Sequence, residues 1–406
     1  MKKDILVKSI KNVTSFTFLW LFITSTAPWI FFRWPGHPYK ILTFFCLLFF
    51  CAMLLIKIEQ IKFSKTLINI LLIQTIFYSV MLVYHNDYAN LTLIIQLISL
   101  LITITYISVF LNMKLFVKSY IYVILITGIG GAFAFFIHLF FGITPIFRVS
   151  YGNDVSYFLG LTTTNVFIDS GSLRMLRFAG FFDEPGTFGL YSLFAIILNK
   201  IYFNNKKIEN VLILVTCLTL SIAFYFSGFV HLILFYFNKK NWSYFVLFFL
   251  FVGLTYFFLQ YFDNPIIDLI NKLTFSRIEE VSGDFAGSNR GDLMVNDYNV
   301  FVNNPLLGVG YSSPQISGSN FFSIFARYGL LGSFFYYFML LYLLYVIVKL
   351  NDFYYLKFFF LILLGLLHRP EIASILTLLL LYSLIHFIEN KLNSNNKLIS
   401  PNDDIS

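Results

Sequence analysis

The sequence predicts an all-α, polytopic integral membrane protein with about twelve transmembrane helices and two long outer loops. Three observations carry this. Of 406 residues, 58% are hydrophobic, 20% aromatic and only 12% charged, with a mean hydropathy of +0.79; an ordinary soluble domain carries about 25% charged residues. Apolar runs of about 17 to 25 residues, the length of a membrane-spanning helix, recur along the chain. The basic residues are also partitioned: Lys clusters in alternate connections and Arg in the others.

The spans are read at 13–32, 41–58, 66–84, 90–111, 119–141, 186–203, 242–262 and 326–348, with shorter ones near 211–226, 228–238, 353–367 and 371–388. The first follows Lys2, Lys3, Lys8 and Lys11 and meets Ser25-Thr26-Ala27, as a secretory signal would. Pro28 and the continuing Trp29-Ile30-Phe31-Phe32 make it a retained helix instead. Lys57, Lys62 and Lys65, then Lys114 and Lys118, then Lys200, Lys206 and Lys207 all fall on the side of the N-terminus. An excess of Lys marks that side as cytoplasmic. Lys239 and Lys240 join them only if 211–238 goes in and returns, as two short helices or a re-entrant hairpin turning at Ser227-Gly228. Both termini are then inside. The inner face carries 18 Lys against 7 acids, and the outer face 8 Arg and 2 Lys against 13 acids.

A chain that otherwise uses Lys but places every Arg outside points to guanidinium chemistry there, a planar two-pronged grip on phosphate or carboxylate. Helix-end anchoring is the alternative use. Cys46, Cys51 and Cys217 lie within spans as packing residues, and the six scattered histidines show no metal-ligand spacing. No metal or cofactor is expected. The Asn- and Ser-rich tail 389–406 reads as disordered and cytoplasmic.

Two connections are long, 142–185 and 263–325, and loops of that length are usually functional. The first ends in Arg174-Met175-Leu176-Arg177-Phe178-Ala179-Gly180-Phe181-Phe182-Asp183-Glu184-Pro185-Gly186 and runs directly into a helix. Pro185 suits the first helical position, and Asp183 and Glu184 suit the positive end of the helix dipole. Arg174 and Arg177 beside these carboxylates form a candidate phosphate grip with an adjacent proton acceptor. The second loop holds Arg290, then Asn303-Asn304-Pro305-Leu306-Leu307-Gly308-Val309-Gly310-Tyr311, then Ser319-Asn320 and Arg327-Tyr328-Gly329-Leu330-Leu331-Gly332. Asn-Pro and the glycines also read as turn punctuation, and Gly329 and Gly332 as sites of close helix packing. Gly128, Gly130 and Gly131 are read as packing positions only.

These motifs, in this order, resemble those of the O-antigen polymerase and ligase superfamily, and most of all the Wzy-type polymerases of bacterial surface polysaccharides. The topological resemblance covers the whole chain, while the specific motifs occupy about 170–189 and 288–332. The resemblance implies a metal- and cofactor-independent glycosyltransferase on the outer face of the bacterial cytoplasmic membrane. Such an enzyme moves a growing glycan from undecaprenyl pyrophosphate onto a new lipid-linked repeat unit. Glu184 is then the first choice of base, with Arg177 and Arg290 stabilising the leaving pyrophosphate. Arg174, Asp183, Asn320, Arg327, His368, Arg369 and Glu371 are the substrate-binding candidates, with Asp183, Glu371 and His368 also behind Glu184 as bases.

The implied partners are a lipid-linked glycan donor and acceptor, the bilayer, a chain-length regulator and a flippase, and no nucleic acid. No histidine lies between His231 and His368, where ligase-type members carry one near the helix that starts here at Ser319-Asn320. That departure favours polymerase over ligase. A lipid-linked oligosaccharide flippase has similar length and helix count, but transporters usually show related halves, which this sequence does not.

Overall fold

The computed structural model describes Ser15, residues 38–61, 64–151, 154–170, 173–237, 290–316, 320–370 and 372–399, and isolated positions between 242 and 257. The expected spans at 13–32 and 242–262, most of the loop from 263, Ser319, Glu371 and the side chains of Arg290 and His368 lie outside the described residues.

The described chain is mostly helical: α1 (Pro38–Ile56), α2 (Lys65–His85), α3 (Ala89–Phe110), α4 (Met113–Phe141), α5 (Pro185–Tyr202), α6 (Lys206–Cys217), α7 (Ile222–Tyr236), α8 (Arg290–Asn303), α9 (Ser323–Tyr336), α10 (Phe338–Leu350), α11 (Phe353–His368) and α12 (Ile375–Ile399). Among the described residues, Lys65–His85, Ala89–Phe110, Met113–Phe141, Ser323–Leu350 and Ile375–Asn395 are long and apolar enough to cross a membrane. Their surfaces suit lipid. On α2 the exposed residues Ile68, Leu72, Ile76, Val80 and Val83 recur at helical spacing, while Gln74 is buried. Gln74 donates through Nε2 to the Tyr336 carbonyl at 3.4 Å, as a polar group inside a bundle must.

The chain divides into two compact units, one comprising Met1–Thr26, Lys40–Tyr120 and Met294–Ser406, the other Ala27–Tyr39 and Ile121–Leu293. In the first unit, α2 packs on α3 and α9, and α10 packs on α11 and α12. Ser64 caps α2 by accepting from the Leu67 amide, and Asn86 ends it in the left-handed conformation, φ 50°. The helix α12 continues to Ile399, through the stretch whose composition predicts disorder. Lys391 holds it there by donating to Asp352 at 3.0 Å and to the Tyr355 hydroxyl at 3.2 Å. The ammonium of Lys391 pulls the Asp352 carboxyl below its ordinary range, helped by the Tyr354 amide and opposed by slight burial.

In the second unit the loop 142–185 departs from the all-α expectation. It folds as a four-stranded antiparallel sheet in the order β1 (Phe147–Tyr151), β2 (Asp154–Phe158), β3 (Thr163–Ser170) and β4 (Leu173–Phe178). Polar and apolar residues alternate along β1, Phe147 pairs with Phe158, and Val149 pairs with Ser156; alternation of this kind gives a sheet one apolar face. The segment 206–236 is the expected pair of short helices, but it turns at Leu218–Ser221 rather than at Ser227-Gly228, which lie inside α7. Leu220 takes a left-handed φ of 54° there, and Asn205 starts α6 by accepting from the Lys207 and Ile208 amides. The hairpin closes back on α5: Lys200 donates to Glu209 at 3.2 Å and to the Tyr236 hydroxyl at 3.1 Å, and His231 meets Glu209 at 2.7 Å.

Candidate functional site

In the second unit, the approach to α5 is built by a run of threonines that motif reading did not single out. Thr162, Thr163 and Thr164 are buried at the start of β3. The Thr163 hydroxyl shares its one proton between the Gly180 carbonyl at 3.0 Å and the Phe182 carbonyl at 3.2 Å, and the Thr164 hydroxyl donates to the Arg177 carbonyl at 2.7 Å. Carbonyls of β4 and of the segment that follows it thereby gain side-chain partners. Phe178, Phe181 and Phe182 are buried, and Phe182 stacks on Tyr191 of α5 at 4.5 Å. Gly131 of α4 is the notch for Phe178, since a β-carbon there would lie 2.1 Å from its ring. Asp183 and Glu184 follow. Pro185 occupies the first turn of α5, Glu184 is its extended N-cap residue, and the Asp183 carboxylate accepts from the Glu184 amide at 3.0 Å.

Arg174 and Arg177 do not act as a pair. Three residues apart on a strand places them on opposite faces of β4, whereas on a helix they would share one. Arg174 donates to the Phe141 carbonyl at 3.1 Å, at the end of α4. Arg177 donates to the Thr219 carbonyl at 3.3 Å and the Leu220 carbonyl at 3.1 Å, at the tip of the α6–α7 hairpin. Carbonyls at helix ends lack intrahelical partners, and a guanidinium there also meets the negative end of the helix dipole. Arg290 opens α8.

In the first unit, the two motif pieces around 305–311 and 320–332 interlock. Within α9, Gly329 breaks the helix with φ 64° and ψ −168°. Such backbone is essentially confined to glycine. The loop from Pro305 to Gly310 supplies the hydrogen bonds that the break removes. Leu330 donates to the Pro305 carbonyl at 2.7 Å and Leu331 to the Leu306 carbonyl at 3.2 Å, while Val309 and Gly310 donate to the Ala326 and Arg327 carbonyls at 3.0 Å each. A β-carbon on Gly308 would lie 2.4 Å from the Arg327 carbonyl group, and one on Gly329 would lie 2.3 Å from that of Leu306. The glycines read as turn punctuation and helix packing therefore serve a backbone-to-backbone contact. With the amides of Gly308, Val309 and Gly310 all donating to carbonyls, this glycine loop is not an anion cradle.

Around that interlock stand the charged groups. The Arg327 guanidinium lies over the Tyr311 ring, 4.4 Å from its centroid. Asn320 donates to the buried Asp297 carboxylate of α8, and its own side-chain oxygen accepts from the Phe322 amide at 2.9 Å. From the end of α2, His85 bonds the Leu307 carbonyl at 3.1 Å. Asp87 accepts from the Ser312 amide at 2.7 Å and from its hydroxyl at 2.8 Å. Partial burial raises the Asp87 carboxyl, but the Ser312 and Ala89 hydrogen bonds outweigh it and hold the group below its ordinary range. An apolar cavity of about 260 Å³ lies beside Leu307, lined by Ile73, Phe77, Met81, Leu331 and Phe335 among others.

The turn after α11 carries Arg369 and docks on the α9–α10 junction. Tyr337 donates to the Pro370 carbonyl at 3.1 Å, and the Tyr336 hydroxyl accepts from the Ile372 amide at 3.1 Å. The turn thus sits level with the junction, not with the start of α9. His85, Asp87, Asp297 and the threonines escaped motif reading because each lies far in sequence from its partner. The signal that could have found two of them is the polar run His85-Asn86-Asp87 between two apolar spans. Among the described residues, no His, Cys, Asp and Glu side chains gather as a metal-ligand set. Neither a family model nor a curated protein matches the chain.

Proposed function

We propose that the chain is a glycan polymerase of the bacterial cytoplasmic membrane, joining lipid-pyrophosphate-linked repeat units on the outer face. In this reading the chain crosses the bilayer about twelve times, with both termini inside and the loops 142–185 and 263–325 outside, as the Lys distribution requires. The observation that supports it most is the interlock of Pro305–Gly310 with the Gly329 break. It joins two separated pieces of the second resemblance motif, 305–311 and 320–332, with Arg327 beside them. Irregular backbone within a span is tolerated where protein buries it or where it lines a cavity, so a helix interrupted at this point is suited to a site.

The chemistry needs a cation and a base. Breaking the sugar–pyrophosphate bond builds negative charge on the leaving oxygen, which a positioned guanidinium stabilises. Arg327 takes that role in this reading. Arg177, committed to the α6–α7 tip, positions the segment that leads to Glu184, and Arg290 enters on sequence grounds alone. The test is genetic. Deleting the gene should leave single repeat units on the carrier or on their surface acceptor. A ligase deletion would instead retain long polymer on the carrier, and unchanged full-length polysaccharide would refute both readings.

A further inference from the structure

We propose that His85 is the base that accepts the proton of the attacking hydroxyl, in the same site as Arg327; the assignment rests on the glycosyl-transfer reading above. The Leu307 carbonyl can only accept, so its 3.1 Å contact with His85 Nε2 places the hydrogen on that nitrogen. In the neutral ring the lone pair is then on Nδ1. That nitrogen faces Gly310: a β-carbon on Gly310 would lie 3.5 Å from Nδ1 and 3.2 Å from Cγ. A side chain at 310 would crowd the Cβ–Cγ–Nδ1 edge of His85, which glycine spares.

Across the same glycine, the Gly310 amide donates to the Arg327 carbonyl, and the next residue, Tyr311, carries the Arg327 guanidinium on its ring. Two adjacent loop residues thus touch both side chains, Gly310 packing on His85 and Tyr311 carrying the Arg327 guanidinium. The surrounding titratable groups are Tyr84, whose ring meets His85 edge-on at 4.8 Å, Asp87, engaged by Ser312 and Ala89, Tyr311 and Arg327. The apolar cavity beside Leu307 offers the lipid end of a substrate a place below this polar cluster.

The step balances. The acceptor hydroxyl gives its proton to Nδ1, and its oxygen forms the bond to the anomeric carbon. The bond from that carbon to the pyrophosphate breaks, and its electron pair leaves on the pyrophosphate oxygen beside Arg327. The imidazolium then releases its proton to water.

The test uses the full-length protein in nanodiscs with a purified lipid-pyrophosphate-linked repeat unit, comparing wild type, His85→Gln and Glu184→Gln. A glutamine amide can still donate to the Leu307 carbonyl. His85→Gln should therefore keep the wild-type unfolding temperature while transfer falls by about 100- to 10,000-fold, and its residual rate should lose the acid-side decline in kcat/KM. His85→Ala should regain transfer in proportion to added imidazole. Wild-type rate and pH profile in His85→Gln, or no imidazole rescue in folded His85→Ala, would overturn the base assignment while polymerisation by the wild type keeps the function standing. Loss of the acid-side decline in Glu184→Gln instead would move the base to Glu184. No product from the wild type would refute the glycosyl-transfer reading itself.

Discussion

Replacing Gly329 by Ala tests whether the segments 305–310 and 326–331 form one structural element. At φ 64° and ψ −168°, an alanine backbone costs about 1 to 3 kcal/mol. Its β-carbon would also lie 2.3 Å from the Leu306 carbonyl group, a backbone neighbour that cannot rotate aside. Relief of that overlap separates the two segments of the interlock and weakens the bonds from Leu330 to Pro305 and from Leu331 to Leu306, each contributing about 0.5 to 1.5 kcal/mol. The sum is a loss of about 2 to 6 kcal/mol. Gly228→Ala is the control. It lies inside α7, its β-carbon would meet the Phe224 ring at an ordinary 3.6 Å, and alanine gains about 0.5 to 1 kcal/mol over glycine in a helix. Thermal unfolding of the purified protein in detergent should show a large drop for Gly329→Ala and none for Gly228→Ala. Equal midpoints for Gly329→Ala and wild type would refute the interlock.

Further tests follow from the charged groups and the topology. Glu209→Gln strips the anion from a cluster in which Glu209 and His231 are fully buried and Lys200 nearly so, and unfolding should register about 3 to 5 kcal/mol of destabilisation. Because the folded Asp87 carboxyl is depressed, its contribution is present above the ordinary carboxylate range and is lost as pH falls through the folded value. Asp87→Asn should accordingly flatten the acid limb of the stability–pH curve, and an unchanged limb would contradict the Ser312 clamp. Arg177→Lys replaces a forked donor serving two carbonyls with a point donor; a loss of about 1.5 to 3 kcal/mol is expected, against little for exposed Arg174→Lys. Cysteines at Asn204 and Asn238 should label from the cytoplasm and those at Asn165 and Asn289 from outside; labelling of 238 and 289 from the same side would break the twelve-helix topology.

The helices were legible because lipid imposes a long apolar run on any span, and α2, α3 and α4 begin and end within a few residues of the hydropathy limits apart from the earlier start of α4. Pro185 as the first residue of α5 followed from its fixed φ. The sheet was missed although β1 alternates, because its strands are short and separated by turns inside a stretch read only as a loop. That omission propagated to the site. Arg174 and Arg177 looked like partners on the assumption of a common face, and β4 separates them. Gly308 and Gly329 were visible as glycines, but the close approaches they allow, Gly308 to Arg327 and Gly329 to Leu306, join positions far apart in sequence, which local spacing does not reveal. The same holds for His85 and Leu307, on opposite halves of the chain. Asn- and Ser-rich composition misled at the end of α12, where Lys391 has specific partners in Asp352 and Tyr355.

The central claim is tested most directly by incubating the purified full-length protein with one lipid-pyrophosphate-linked repeat unit as both donor and acceptor, without nucleotide sugar, and resolving the products by size. The account predicts a ladder of glycans spaced by whole repeat units, with one lipid pyrophosphate released per bond formed and no ladder from Arg327→Lys. Unchanged single units with a folded wild-type protein, or transfer only to an unrelated acceptor, would contradict it.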